Sequence, residues 1–293
     1  MTFSNCLHAC HQSAYYLAGR CLHACRLSVM HAYRLTTAVL FLLFVMSAVP
    51  SAQAADTAQA EALVVATDTA YLPFEFKENG KYVGFDIDLL NAITNEMGVT
   101  YTLLPMDFSN IFPNLTAGKV DMAIAGITIT QDRERSMDFS EPYFRSDISM
   151  VVANDNSELA RFQDLAGKRV GVKRGTDAAD YVSRTIPDVR ITYFQNMDVG
   201  FPYLEVAAGR LDALVHDSAN VLYYSQHTGK GLVKVTDTVR TENNFYAIAL
   251  KKNSALTQRV NEALRKTIRS GAYATIYQKW FGVPPDSASL QMQ

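Results

Sequence analysis

The body of this chain has no cysteine. All four lie at Cys6, Cys10, Cys21 and Cys25 of 293 residues, so nothing after residue 25 can form a disulfide or a thiolate metal site. An excess of charge is lacking too. With 27 basic residues against 29 acidic ones, a formal −2, no basic field exists to hold a nucleic-acid backbone, and nucleic acid is not an expected partner. The chain also has no GxSxG elbow, no HExxH, no phosphate-binding GxxxxGK[ST] loop and no GxGxxG, which removes the common hydrolase, metallopeptidase and nucleotide fingerprints. Only His216 and His227 remain as histidines in the body, so a catalytic apparatus would have to rely on Asp, Glu, Lys and Tyr beside them. No cofactor is expected. What is abundant is apolar: 48% hydrophobic against 19% charged residues describes a core-forming protein of one large or two ordinary domains.

A long hydrophobic run is missing as well. Leu35 to Val49 (LTTAVLFLLFVMSAV) is apolar, but at about 1.5 Å per residue it falls short of a hydrocarbon layer of about 30 Å. It reads instead as the apolar stretch of an export signal. Arg34 precedes it and Ala52-Gln53-Ala54 follows, a small-x-small pattern that places cleavage before Ala55. No cysteine follows the run, so a lipid-anchored product is not expected. Counting back from the cleavage point, Met30 begins a signal of ordinary length, residues 30–54, and is the expected start within a leader of residues 1–54. That leader carries a repeat, Cys6-Leu7-His8-Ala9-Cys10 and Cys21-Leu22-His23-Ala24-Cys25. Cys and His are zinc ligand types, yet CxxxC is a loose spacing with no fold around it, and translated upstream sequence is the preferred reading.

Beyond the leader, strands and helices alternate. Leu63 to Thr67 is an apolar run of the kind buried on both faces of a sheet. Asp86 is the expected N-cap of a helix with Leu89, Leu90, Ile93 and Met97 on one face, closed by Gly98. Then come VTYTLLP, a helix ending at Gly118 and a strand from Met122 to Ala125. A second series places strands at Lys168 to Lys173, Ile191 to Phe194 and Ala213 to Val215, with helices between. Phe245 to Leu250 is a further strand, Leu256, Val260, Leu264 and Ile268 form a core stripe, and a Tyr-rich turn follows at Gly271. The order predicts two α/β lobes with mostly parallel sheets.

Gly84-Phe85-Asp86-Ile87-Asp88-Leu89 resembles the signature of the periplasmic solute-binding proteins that serve polar amino acid ABC transporters. The likeness continues through Ala66 to Phe76, Pro105 to Ser109, Ala125 to Thr130, Asp138-Phe139-Ser140 and Lys279-Trp280-Phe281-Gly282, most of all toward glutamine-binding members. It implies a two-lobed periplasmic-binding-protein-like fold (type II), a monomer whose two hinge crossovers, near Tyr143 to Asp147 and Thr241 to Phe245, let it close on one amino acid. Lobe 1 would comprise residues 55–143 and 246–283 and lobe 2 residues 148–242, with 284–293 as a flexible tail. The implied partners are an amino acid ligand and an inner-membrane permease with its ATPase.

The same resemblance implies the site. Arg133 matches a carboxylate-binding arginine, whose planar fork suits two parallel hydrogen bonds. Thr128 would add donors, and the Gly126 carbonyl, beside Ala125, would accept from the ammonium. Asp217 matches the ammonium-binding acid; its bland reading is a helix N-cap before Ser218. Tyr71 and Phe108 match two aromatics that sandwich the ligand's stem. Asp177 replaces a glycine whose N–H assists carboxylate binding. Asp68, Lys173 and His216 match the side-chain pocket: Asp68 disfavours a second carboxylate, Lys173 disfavours a cation, and an amide partners both, which selects glutamine or asparagine, with glutamine expected because the shorter asparagine reaches only one side of the pocket. Two other readings stand beside this one. The first is another amino acid (glutamate, arginine, lysine or histidine). The second is an enzyme, since a cyclohexadienyl dehydratase family shares the fold, although the site shows no spare acid–base pair.

Overall fold

A computed structural model describes residues 62–197, 200–240 and 244–285. The expected leader, with the cysteine repeat and the expected export signal, residues 241–243 of the expected second crossover, and the expected tail beyond residue 285 lie outside the described residues. The first series comprises β1 (Ala62–Asp68), β2 (Phe76–Glu78), β3 (Lys81–Val83), α1 (Phe85–Met97), β4 (Thr100–Met106), α2 (Phe108–Thr116), β5 (Met122–Ala123), α3 (Gln131–Glu134), β6 (Met137–Phe139) and β7 (Phe144–Arg145). The second comprises β8 (Ile148–Ala153), β9 (Arg169–Lys173), α4 (Asp177–Thr185), β10 (Arg190–Phe194), α5 (Phe201–Ala207), β11 (Ala213–Asp217), α6 (Ser218–Gln226) and β12 (Val233–Val239). The chain then returns through β13 (Phe245–Tyr246), β14 (Ala249–Lys251), α7 (Leu256–Arg269) and α8 (Ala272–Phe281).

Two five-stranded sheets organise the molecule, ordered β4-β1-β5-β14-β6 and β10-β9-β11-β8-β12. Each sheet is half parallel, which corrects the expectation of mostly parallel sheets. β1 runs parallel to β4 and β5, whereas β14 is antiparallel to both β5 and β6. Likewise β9 is parallel to β10 and β11, whereas β8 is antiparallel to β11 and β12. The cause is connectivity. β8 and β14 are the first sheet strands after each crossover, and they enter from the end where the parallel strands finish. The crossovers also meet as an antiparallel ribbon of β7 with β13, pairing Phe245 with Arg145 and Tyr246 with Phe144.

Four local expectations are corrected. Helix α1 opens at Phe85 after Gly84, so Asp86 lies within the first turn and caps nothing; its side chain is buried and receives the Gly126 N–H at 2.8 Å. Gly84 takes φ 138°, and a Cβ there would stand 1.9 Å from the Phe74 carbonyl oxygen, so the signature's glycine is a steric requirement. The Tyr-rich segment after Gly271 is a helix, α8, rather than a turn, because Gly271 in the left-handed region lets a new helix start at an angle to α7. The strand at Met122 stops at Ala123, and the strand expected over Phe245 to Leu250 divides into β13 and β14.

The α7 stripe does enter the core, with Val260 and Leu264 fully buried. An aromatic cluster packs the crossover against lobe 1: the Phe144 ring lies 5.0 Å from Phe74, 5.7 Å from Phe85 and 5.2 Å from Phe281. Helix α8 is also held by polar contacts. The Lys279 ammonium donates to Asp88 Oδ2 at 2.6 Å and the Trp280 Nε1–H to the same oxygen at 2.7 Å. Asp86 and Asp88 stand about 200° apart around the helix, so one acid turns inward while the other reaches α8.

Asp88→Ala removes the acceptor shared by both donors. A loss of about 1–3 kcal/mol in chemical denaturation, with a red shift of Trp280 fluorescence, is expected. An unchanged midpoint and spectrum would mean that apolar packing alone holds α8.

Candidate functional site

The parallel strands of both sheets aim their carboxyl ends at one cleft, the usual place for a ligand in an open α/β sheet. β1 ends at Asp68, β9 at Lys173 and β11 at His216 and Asp217, while α2 begins at Phe108 and α4 at Asp177 just past β4 and β9. The elements converge on a narrow cavity of ≈ 10 Å³, about the space of one water, lined by Tyr71, Phe108, Ala125, Gly126, Lys173, Thr176, Asp177, His216 and Asp217. Gly126 takes φ 53°, and a Cβ there would come within 2.6 Å of the Tyr71 ring, so this wall of the cavity admits only glycine.

Asp68 and Lys173 form an ion pair across the cleft with side chains 0% and 2% exposed. The ammonium stands 5.1 Å from the Tyr71 ring centroid and 5.3 Å from that of Phe108, between the two aromatics. Asp68 is further held by the Thr69 N–H at 2.7 Å. Removing either charge would leave the other buried without its partner, a costly state.

Asp217 is the second focus. Its Oδ2 accepts from the Tyr246 hydroxyl at 2.5 Å and the Tyr71 hydroxyl at 2.9 Å, and the two hydroxyls are 2.6 Å apart. Asp217 occupies the N-cap position of α6, yet its side chain makes no cap hydrogen bond. Both tyrosines are pushed well above their ordinary pKa, first by burial and then by the Asp217 charge, so they serve as donors. Burial would raise Asp217 in turn, but His216 and the Tyr246 and Tyr71 hydroxyls outweigh it and hold the carboxyl below its usual value. His216 Nδ1 lies 3.7 Å from Asp217 Oδ1, beyond hydrogen-bond reach. Neither ring nitrogen of this fully buried histidine has a hydrogen-bond partner among the described residues.

The third group stands at the cleft's mouth. Arg133 donates from Nη1 to the Thr128 carbonyl at 2.6 Å and from Nη2 to the Gly175 carbonyl at 2.9 Å, with its guanidinium 4.6 Å from the Phe112 ring. The Thr128 hydroxyl donates to Asp177 Oδ1 at 3.2 Å. Burial, and next the Asp217 charge, push the Asp177 carboxyl up to about 6, while Arg133 opposes them.

Of the residues singled out in the sequence, Tyr71, Phe108, Ala125, Gly126, Lys173, Asp177, His216 and Asp217 line the cavity itself. Asp68 sits behind Lys173, and Thr128 and Arg133 stand outside it. Three residues were not singled out. Thr176 lines the cavity as the N-cap of α4. Tyr246 comes from the returning strand β13. Asn220 of α6 donates to the Leu72 carbonyl at 2.5 Å and accepts from the Tyr203 hydroxyl at 2.6 Å, joining the lobes beside the site. No pattern in the sequence marks Tyr246, and only the fold brings it to Asp217. Among the described residues no cluster of acids or histidines could hold a metal ion, and no helix is long and apolar enough to cross a membrane.

Tyr246→Phe deletes one donor to Asp217, so that carboxyl should titrate at higher pH. A carboxyl held low adds stability above its unfolded value and loses it as pH falls through the folded one, so the variant, with a narrower gap between the two, should lose less stability to acid and finish losing it at a higher pH. Side-chain carbon NMR of labelled aspartate reads this directly. An unmoved Asp217 titration would rule the hydroxyl out as a significant donor.

The match to known proteins is extensive. Residues 63–283 fit the bacterial extracellular solute-binding proteins, family 3. The lysine/arginine/ornithine-binding periplasmic protein of Escherichia coli (strain K12) is 32% identical over 230 residues, 75% of this chain and 88% of that one. Among solved structures, the arginine-, lysine-, histidine-binding protein ArtJ from Geobacillus stearothermophilus superposes with a TM-score of 0.73 at 34% identity, covering 79% of this chain and 100% of the other. An ancestral arginine-binding protein bound to glutamine gives 0.70 at 40% identity, covering 76% and 98%. Most of these names carry cationic amino acids, and the nearness to glutamine-binding members expected from the motifs does not emerge from them. With a family match across nearly all the described residues and the two-lobed fold to go with it, the chain belongs to the bacterial extracellular solute-binding proteins, family 3.

Proposed function

We propose that this protein is the periplasmic substrate-binding component of an ABC importer, that it delivers one amino acid to an inner-membrane permease, and that the amino acid is glutamine. The observation that carries the choice is the buried Asp68–Lys173 pair between Tyr71 and Phe108. A ligand whose side chain ends there meets a fixed cation and a fixed anion at once. An arginine or lysine side chain would face Lys173 in a poorly solvated site, and a glutamate would face Asp68. An amide suits both, offering its N–H to Asp68 and its carbonyl to Lys173, with a His216 ring nitrogen as a further partner.

The rest of the ligand has partners in the same cavity. Asp217, kept ionised by its donors, takes the ammonium, with the Gly126 carbonyl as a second acceptor. Arg133 keeps N–H groups beyond the two given to backbone carbonyls and, with the Thr128 hydroxyl, takes the carboxylate. These roles are supported by the convergence of the residues on one cleft. A second reading, a cationic amino acid, is favoured by the names of the relatives, and it requires Lys173 to leave Asp68. An enzymatic role has less support, since the reported relatives are named as binding proteins.

Calorimetry across an amino acid panel separates the readings. Glutamine should bind at least about tenfold more tightly than arginine, lysine or glutamate. Lys173→Met, which frees the Asp68 charge, should weaken glutamine and strengthen arginine. Tighter arginine binding by the unaltered protein would overturn the assignment.

A further inference from the structure

Behind the ligand cavity lie carboxyl groups that binding does not use. Glu75 and Asp86 are both fully buried and neighbours in the fold, since the Asp86 N–H donates at 2.9 Å to the carbonyl of Phe74, the residue before Glu75, and each carboxyl acts on the other. As carboxylates they could only repel. Among the described residues, neither oxygen of Glu75 nor the Oδ1 of Asp86 has a donor, although buried polar atoms rarely go unpaired. One proton placed between the two acids resolves this conflict, as it does wherever two carboxyls share a dry site. Its location follows from the other partners. Asp86 Oδ2 accepts from the Gly126 N–H and from the Tyr143 hydroxyl, each at 2.8 Å, which favours the ionised form, whereas Glu75 has no such donor.

We propose that Glu75 carries a proton at neutral pH and donates it to Asp86, and that this pair is a positioning device fixing Gly126 at the cavity wall and Tyr143 at the start of the first crossover. The chain of contacts is continuous. Tyr143 receives the Tyr273 hydroxyl on its carbonyl at 2.6 Å, so the acid pair ties the cavity wall to both the crossover and the C-terminal helix α8. The charged and titratable groups facing the pair are Asp68 from β1, Lys173 from β9 and Tyr143. Lys173 is already matched by Asp68, so a second anion at Glu75 has no cation of its own. Burial, and after it Asp86 and Asp68, push the Glu75 carboxyl well above the usual range. Asp86 is raised to about 7 by burial, against the pull of Gly126, Tyr143 and Glu75.

The folded protein thus keeps a proton that the unfolded chain releases above about pH 4.3, and stability should fall as pH rises from there. Thermal unfolding of the full chain between pH 5 and 9 tests this against Glu75→Gln, whose amide donates to Asp86 without titrating. Expected is a shallower alkaline decline in Glu75→Gln, and at pH 9 a midpoint several degrees above that of the unaltered protein. Equal slopes would overturn the proposal. In case the variant does not fold, infrared spectra of the unaltered protein at pH 7 provide the second measurement. A protonated-carboxyl band that moves when glutamate is labelled with carbon-13 supports the proposal, and its absence refutes it. Neither measurement involves an amino acid ligand, so failure here is told apart from failure of the glutamine assignment, which the amino acid panel tests by itself.

Discussion

The contact on which the site depends is the ion pair between Asp68 and Lys173. It joins the carboxyl end of β1 in one sheet to that of β9 in the other, and both side chains are shut away from water. Such a pair is poor glue, since two desolvated charges recover little more than they lose. Under the proposed function its value lies in selection: with the cation between Tyr71 and Phe108, the cleft presents opposite charges at one point, and the proposed ligand answers both. Tyr71 belongs to two parts of this arrangement, because its ring flanks Lys173 while its hydroxyl donates to Asp217. The Asp68–Lys173 pair and the Asp217 cluster therefore share a wall of the cavity.

Much of the site was legible because parallel strands bring their carboxyl ends together. Asp68, Lys173, His216 and Asp217 all fall where an apolar run stops, and Phe108 and Asp177 where the next helix begins. What stayed hidden depends on chain return. Tyr246 reaches Asp217 and Tyr71 only because β13 pairs with β7, a contact between segments with all of lobe 2 between them. No local pattern announces it. Asp86 was misread for a related reason: an aspartate before an apolar helical stripe usually caps, but here a tertiary donor, the Gly126 N–H, claims the carboxylate. Asp217 shows the reverse. It stands at a cap position, and its side chain serves the cleft instead.

The signature around Gly84 gains a physical meaning from these contacts. Its glycine lets α1 start against the Phe74 carbonyl, its first acid holds the cavity wall and crossover, and its second acid holds α8. Three parts of the chain distant in sequence meet on one helix turn. A short motif can therefore mark the whole fold without touching a ligand. The half-parallel sheets have the same origin, since each crossover delivers a strand running against its neighbours, and the β7–β13 ribbon then links the lobes through only a few residues.

That narrow link, set against a cleft dense in charge, makes specificity a question of which charges are already matched. Family members named for arginine or lysine show that this fold accommodates cationic ligands, and a solved neighbour bound to glutamine shows that an amide also fits. In this chain Asp68 is the acid best placed to receive a cationic side chain, and Lys173 occupies it. A cationic ligand would have to displace an ammonium already paired and flanked by two aromatic rings, and Glu75 is a buried acid whose carboxyl feels the charge of that ammonium. If Glu75 is protonated, it offers no compensating charge. The two proposals are thus linked in one direction only: a neutral Glu75 strengthens the case against a cation, while an ionised one would lower the cost of moving Lys173 and bring the cationic reading back within reach.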